Sequence, residues 1–168
     1  MLLFLIGYPR VGKTTIGKKL AQFLKVEFYD TDSLILENTN EKTIPELFSK
    51  IGEEQFRRLE HQVLLSLKNK DKAVVATGGG LVTLSENQTI LKQCGMVVWL
   101  QISLDTLLQR LKVKPLSFIG SDCLLDFLKN RKSIYQSLCD TLLDITDEKV
   151  ALAQLECIWK KINEKQFW

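Results

Sequence analysis

The run Gly7-Tyr8-Pro9-Arg10-Val11-Gly12-Lys13-Thr14 constrains this chain more than any other stretch, because it fits the pattern G-x-x-x-x-G-K-[ST] in a specific setting. An apolar segment, Leu2 to Ile6, stands directly before it and reads as a short strand; an amphipathic one, Thr15 to Leu24, stands directly after it and reads as a helix. Glycines let such a loop fold around an anion, so that backbone N–H groups and the helix N-terminus face phosphates. Lys13 then reaches the outer phosphates of a nucleotide and Thr14 offers its hydroxyl to Mg²⁺, while Gly7, Arg10, Val11, Gly12 and Thr15 complete the ATP-binding loop. A strand joined to a helix through such a turn implies a parallel sheet covered by helices, since parallel strands need crossover connections.

The rest of the chain repeats the alternation. Val26 to Tyr29, Ala73 to Ala76, Met96 to Gln101 and the weaker Leu142 to Ile145 are short apolar runs bounded by turn or cap residues. With Leu2 to Ile6 they supply a five-stranded parallel sheet, and the fold class expected is α/β, a three-layer sandwich. Thr43-Ile44-Pro45-Glu46 and Ser85-Glu86-Asn87-Gln88 fit the capping box, and Ser103 and Thr146 read as further N-caps. Between Gln55 and Leu67, the residues Phe56, Leu59, Val63, Leu64 and Leu67 form one apolar stripe from which Arg57, Glu60 and His61 depart. The segment from Arg110 to Asp122 holds Pro115 and Gly120, lacks periodicity, and is expected to be an irregular loop of the kind that serves as a lid.

Size and charge exclude several alternatives. At 168 residues the chain has the length of one domain, 1–168, and can bury a real core without disulfides or structural metal. Its 23 Lys+Arg against 20 Asp+Glu give a formal charge of +3, too small to imply a nucleic acid or an anionic membrane as partner. Any anion site must therefore be local. The four cysteines lack a C-x-x-C pair and have only His61 as a possible imidazole companion, so they read as reduced thiols. The apolar start is broken at Gly7, far short of a membrane span, and a cytoplasmic monomer is expected.

Two further loops follow strand ends on the same edge as the phosphate loop. Asp30-Thr31-Asp32 places two carboxylates at spacing two, one able to hold Mg²⁺ through water and the other to orient a hydroxyl, although a capped turn uses the same residues. Thr77-Gly78-Gly79-Gly80 allows backbone to approach a ligand closely, or simply turns the chain.

Taken with Gly52-Glu53-x-x-Phe56-Arg57-x-x-Glu60, these motifs occur in the order found in shikimate kinases, which the chain resembles from Leu2 through about Arg131. The resemblance implies a P-loop kinase fold with a mobile lid at about 110–122, and transfer of the ATP γ-phosphate to the 3-hydroxyl of shikimate. Asp30 matches the acid near Mg²⁺ and Asp32 the partner of the shikimate hydroxyls, acting either as base or as orienting group. Arg57 and Arg131 match the holders of the shikimate carboxylate, Gly78, Gly79 and Gly80 the glycine loop beside it, and Arg110 the arginine that packs on adenine. Pro9, Phe48 and Phe56 would wall the pocket or serve as core; Glu60 would hold the Arg57 guanidinium or form a surface ion pair with it. The lid departs from the family pattern, reading Lys114-Pro115-Leu116-Ser117 with a lysine where the family carries arginine, so Lys114 is the candidate lid cation. A kinase of another small metabolite, such as gluconate or a nucleoside monophosphate, and a nucleotide-binding module without turnover are the rival readings.

Overall fold

Strands β1 (Leu2–Ile6), β2 (Glu27–Asp30), β3 (Ala73–Ala76), β4 (Gly95–Gln101) and β5 (Thr141–Asp144) lie in one parallel sheet in the order β2-β3-β1-β4-β5. The computed structural model describes residues 1–111 and 124–164. Between the strands run α1 (Lys13–Leu24), α2 (Thr31–Glu37), α3 (Ile44–Leu67), α4 (Ser85–Cys94), α5 (Leu104–Arg110) and α6 (Leu124–Leu138), with α7 (Glu148–Glu164) last. The expected α/β sandwich is therefore present, and each anticipated strand matches to within a residue.

Alternation along β1 divides the core. Leu2, Phe4 and Ile6 enter a cluster with Leu64 and Leu67 of α3, Leu91 of α4, Leu107 of α5 and Tyr135 of α6, whereas Leu3 and Leu5 join Ile16 and Leu20 of α1 and Leu155 of α7 on the other face. All five β1 residues are buried. A third, smaller cluster of Ile35, Leu47, Phe48, Phe56 and Val63 lies between α2 and α3. Helix α3 bends at Gly52, whose φ of 78° is left-handed, so the Thr43-capped start and the striped segment after it are two helical pieces merged across a kink.

Two expected caps are replaced by neighbours. Thr43 and Ser103 accept from Glu46 N and Thr106 N as anticipated. Ser85, however, is the first residue of α4 after Leu84, with no side-chain cap; the next turn is held by Asn87 and Gln88, which donate to the carbonyls of Leu81 and Val82. At α7 the acceptor is Asp147 rather than Thr146, taking the N–H groups of Lys149 and Val150, because a carboxylate is the stronger acceptor at a helix start. Among the described residues no helix is long and apolar enough to cross a membrane.

Gly17 shows how tightly α1 is laid on the sheet. A Cβ there would lie 2.6 Å from Phe28 Cε2 and 3.1 Å from Leu5 Cδ1, and Leu5 belongs to the buried central strand. Helix propensity favours alanine over glycine by about 1 kcal/mol, but overpacking a core site costs about 1–3 kcal/mol. Gly17→Ala is therefore expected to lower Tm by a few degrees in thermal unfolding; a higher Tm would mean that α1 can lift without loss.

Candidate active site

The loop after β1 is shaped by three left-handed residues, Gly7 at φ 147°, Arg10 at φ 61° and Gly12 at φ 116°. Gly12 is the N-cap of α1 and offers no side chain, so the first N–H groups of the helix, which have no intrahelical partner, open onto the cavity. Lys13 turns back inside the loop, where its ammonium donates to the carbonyls of Gly7 and Tyr8, each at 2.9 Å. Burial pulls the Lys13 pKa down to about 8, and the carboxylates of Asp32 and Asp30 act against that fall. Arg10 and the end of α5 clasp one another: Arg10 Nη1 donates to Arg110 O at 2.9 Å, and Arg110 Nη1 donates to Val11 O at 3.0 Å and Arg10 O at 3.3 Å.

Asp30 closes β2 and caps α2, its Oδ1 accepting from the N–H groups of Asp32 and Ser33. Its other oxygen accepts from Thr14 Oγ1 at 2.6 Å, which brings the ends of β1 and β2 together through side chains. Asp32, two residues along, is pushed up to about 6 by burial and by the Asp30 charge, while Lys13 and Arg57 oppose the shift. Between them Thr31 is fully buried and its hydroxyl accepts from Gly78 N at 2.7 Å, fixing the glycine loop after β3 against α2. Nothing in the D-x-D reading pointed to Thr31; the middle residue of such a turn becomes informative only when its burial is known.

Arg57 projects from α3 with only 15% of its side chain exposed, donating to Glu60 at 2.7 Å and Glu53 at 3.1 Å. Burial disfavours its charge, but Glu60 and Glu53 more than offset this, and the guanidinium pKa rises. Glu60 is 1% exposed, so the surface ion pair considered from sequence is ruled out: burial pushes its pKa up to about 7 against the pull of Arg57. The guanidinium lies against Gly80, where a Cβ would collide with Nη1, so any larger residue there would displace the Arg57 fork from its pairing with Glu60. Arg131, on α6, is buried with its guanidinium 5.6 Å from the centre of the Phe127 ring, and burial lowers its pKa.

These groups surround one cavity of about 800 Å³ at the carboxyl ends of the strands, the place where parallel sheets bind ligands. Of the anticipated residues, Pro9, Arg10, Val11, Gly12, Lys13, Thr14, Thr15, Asp30, Asp32, Phe48, Phe56, Arg57, Gly79, Gly80 and Arg110 line it. Gly7, Gly78 and Arg131 do not; Gly78 instead spends its N–H on Thr31. Lys114 and the anticipated lid beyond Leu111 lie outside the described residues. Ile44, Pro45 and Ile145 also form walls, and only their place beside a helix start or strand end could have suggested them. His61 is not a free surface residue, since its Nδ1 is 2.8 Å from Oδ1 of the buried Asn87.

Comparison with known proteins gives the same picture. A family model described as shikimate kinase matches residues 9–163. A shikimate kinase from Sulfurihydrogenibium sp. (strain YO3AOP1) is 38% identical over 166 residues, which are 97% of this chain and 98% of that one. One from Synechococcus elongatus is 49% identical over 110 residues, 66% of this chain but 57% of the relative. The solved structure of shikimate kinase from Acinetobacter baumannii in complex with shikimate superposes with a TM-score of 0.81 at 33% identity, covering 99% of this chain and 95% of that one. Because the match runs from residue 9 to residue 163 and a relative aligns over nearly its whole length, this chain belongs to the shikimate kinase family and is an enzyme, a kinase.

Proposed function

We propose that the cavity is an ATP:shikimate phosphotransferase site whose nucleotide and acceptor subsites meet at Lys13. The chain works as one kinase domain, a cytoplasmic monomer in aromatic amino-acid biosynthesis, and places the γ-phosphate of ATP on the 3-hydroxyl of shikimate. The observation that carries this reading is that Lys13, held inside the loop by the carbonyls of Gly7 and Tyr8, opens on the same cavity as Asp30, bonded to Thr14, and Asp32 with Arg57.

On the nucleotide side, the opened N–H groups of α1 and the residues Arg10, Val11, Gly12, Thr14 and Thr15 hold the phosphates, Gly7 turns the loop that presents them, and Arg110 supports the loop and the base. The Thr14 hydroxyl and the Asp30 carboxylate, 2.6 Å apart, are the hard oxygen donors that suit Mg²⁺, which keeps several waters and phosphate oxygens as its other ligands. When bound, the ion neutralises charge on the phosphoryl group being transferred. On the acceptor side, a small polyol carboxylate needs a carboxylate for its hydroxyls and forked guanidinium groups for its anion. Asp32 takes the hydroxyls, Arg57 the carboxylate, and the backbone of Gly79 and Gly80 the remaining edge, with Pro9, Phe48 and Phe56 as walls; Arg131, outside this lining but feeling the charges of Arg57 and Glu60, joins Arg57 in holding the carboxylate. Glu60 and Glu53 fix the Arg57 fork before the substrate arrives, so little ordering is left to binding. Asp32 acts as an ionised acceptor that orients the attacking hydroxyl and can take its proton; Lys13 and Lys114 stabilise the charge that develops.

A coupled assay of ADP release over a panel of acceptors tests the activity, with turnover expected on shikimate. In the same assay Lys13→Ala is expected to reduce kcat by about 10²–10⁴-fold with the fold intact by circular dichroism; near-normal turnover would refute the phosphate role of Lys13.

Asp32→Asn and Arg57→Ala should weaken shikimate binding while sparing ATP binding to the free enzyme. Calorimetric titration of each ligand checks the division, and equal losses for both ligands would show that the two subsites are wrongly divided.

Asp32 also predicts opposite trends in stability and activity. Its folded pKa, about 6, lies above the unfolded value of 3.8, so its stabilising contribution is complete below the unfolded value and lost as pH rises through about 6. Asp32→Asn, neutral throughout, should therefore gain in stability over the native chain as pH rises from 5 to 8, by about 1–2 kcal/mol, read as a growing Tm difference. Native turnover should fall as pH drops through about 6, where the carboxylate is lost. A Tm difference that does not change with pH would mean that Asp32 is not held above its ordinary value.

A further inference from the structure

Tyr8 sits inside the phosphate loop, yet its side chain reaches across the molecule. Its hydroxyl donates to Leu128 O on α6 at 2.8 Å, in a buried bond spanning 120 residues of sequence. Its ring meets Tyr135 edge-on at 5.2 Å and Phe127 at 6.4 Å, both on α6. Tyr135 packs in turn against Trp99 of the central strand β4 at 5.5 Å, and all four rings are buried. Phe127 carries the Arg131 guanidinium on its face at 5.6 Å. At its other end Tyr8 holds the loop itself, because its carbonyl accepts from Lys13 Nζ at 2.9 Å.

We infer that Tyr8 is a positioning residue for the acceptor: by clamping α6 to the phosphate loop it holds Arg131 in register with the phosphoryl group to be transferred. The inference rests on the reading of Arg131 as a holder of the shikimate carboxylate. Its physical basis is that, within the cluster at this end of the sheet, the Tyr8 hydroxyl supplies a direct polar tie between the loop and the α6 backbone. Ring contacts alone leave a helix free to slide along an apolar surface, whereas a buried hydrogen bond to one particular carbonyl fixes its register. Burial raises the Tyr8 pKa to about 12, so the hydroxyl remains a donor across the working pH range. Tyr8 touches neither substrate in this scheme; it acts through Arg131 and, by its carbonyl, through Lys13.

Tyr8→Phe removes the hydroxyl and keeps the ring, and Tyr8→Leu removes both. In steady-state kinetics on the native fold, Tyr8→Phe is expected to raise KM for shikimate about threefold to tenfold, the range set by loss of one buried hydrogen bond, with KM for ATP changed less than twofold. Tyr8→Leu should raise it further. In an Arg131→Lys background, the Tyr8→Phe effect on shikimate KM should largely vanish, because the clamp then has no guanidinium to aim. An unchanged shikimate KM in both Tyr8 variants, with only a lower Tm, would reduce Tyr8 to a structural residue and overturn the inference. Parallel increases in both KM values, or additive effects of Tyr8→Phe and Arg131→Lys, would overturn it as well. Turnover of shikimate by the native chain is the separate control: its absence would refute the proposed function and leave the Tyr8 result without bearing on that failure.

Discussion

A buried ammonium is the constraint to which the other functional groups of this molecule answer. Lys13 is 7% exposed, and taking an ammonium out of water costs several kcal/mol unless acceptors and opposite charges around it compensate. Two loop carbonyls accept its protons and two carboxylates, Asp30 and Asp32, oppose the loss of its charge. Those four partners come from two different strand ends. Carbonyls of Gly7 and Tyr8 can face inward only because the loop adopts left-handed turns at Gly7, Arg10 and Gly12, and the acids lie nearby because β2 and β1 flank β3 in the same parallel sheet. The need to satisfy Lys13 thus links the loop's unusual backbone to the order of the strands.

The same region concentrates ionised groups in a way that stability alone would not favour. Asp32 and Glu60 are held above their ordinary pKa values by burial, which means that each ionised form is strained against its surroundings. Arg57 offsets part of this by pairing with Glu60 through Nη1, the same nitrogen that lies against Gly80. Such an arrangement sacrifices folding free energy for a prearranged set of charges, and it explains why the Arg57 fork is fixed by two carboxylates and not one.

Much of this was legible in the sequence, for reasons that differ by residue. The strands are legible because each is a short apolar run closed by a turn residue, and Thr43 and Ser103 because a hydroxyl three residues before the N–H that donates to it is a local relation. The phosphate loop was legible because its glycines and lysine are contiguous. What escaped was relational. Thr146 loses its cap position to the neighbouring Asp147, and Ser85 because α4 begins one residue earlier, after Leu84, neither of which spacing alone can rank. Glu60 falls off the apolar stripe of α3 and so reads as exposed, but the face it occupies is covered by the glycine loop and α2, and it is buried by contacts distant in sequence. Thr31 and Tyr8 were passed over for the same reason: their partners, Gly78 and Leu128, stand 47 and 120 residues away.

The division of the core clarifies how the two halves of the cavity are supported. The phosphate loop grows out of β1, buried on both faces and packed by α1 and α7 beneath and α4, α5 and α6 above. Arg57, Phe48 and Phe56 belong instead to the region built on the small cluster between α2 and α3, which Leu64 and Leu67 at the end of α3 join to the larger core. Thr31 with Gly78 is one anchor, the Asp30 cap another, and Leu34, shared between the small cluster and the larger one, a third. The kink at Gly52 frees the first part of α3 from following the axis of the second, so Phe48 can face Phe56 at 5.3 Å across the bend. An element with a small core of its own opens at lower free energy than the sheet it rests on. The acceptor wall is therefore the part of the site best able to adjust, while the phosphate loop, tied through Tyr8 to α6 and through Arg110 to α5, provides the fixed frame against which it adjusts.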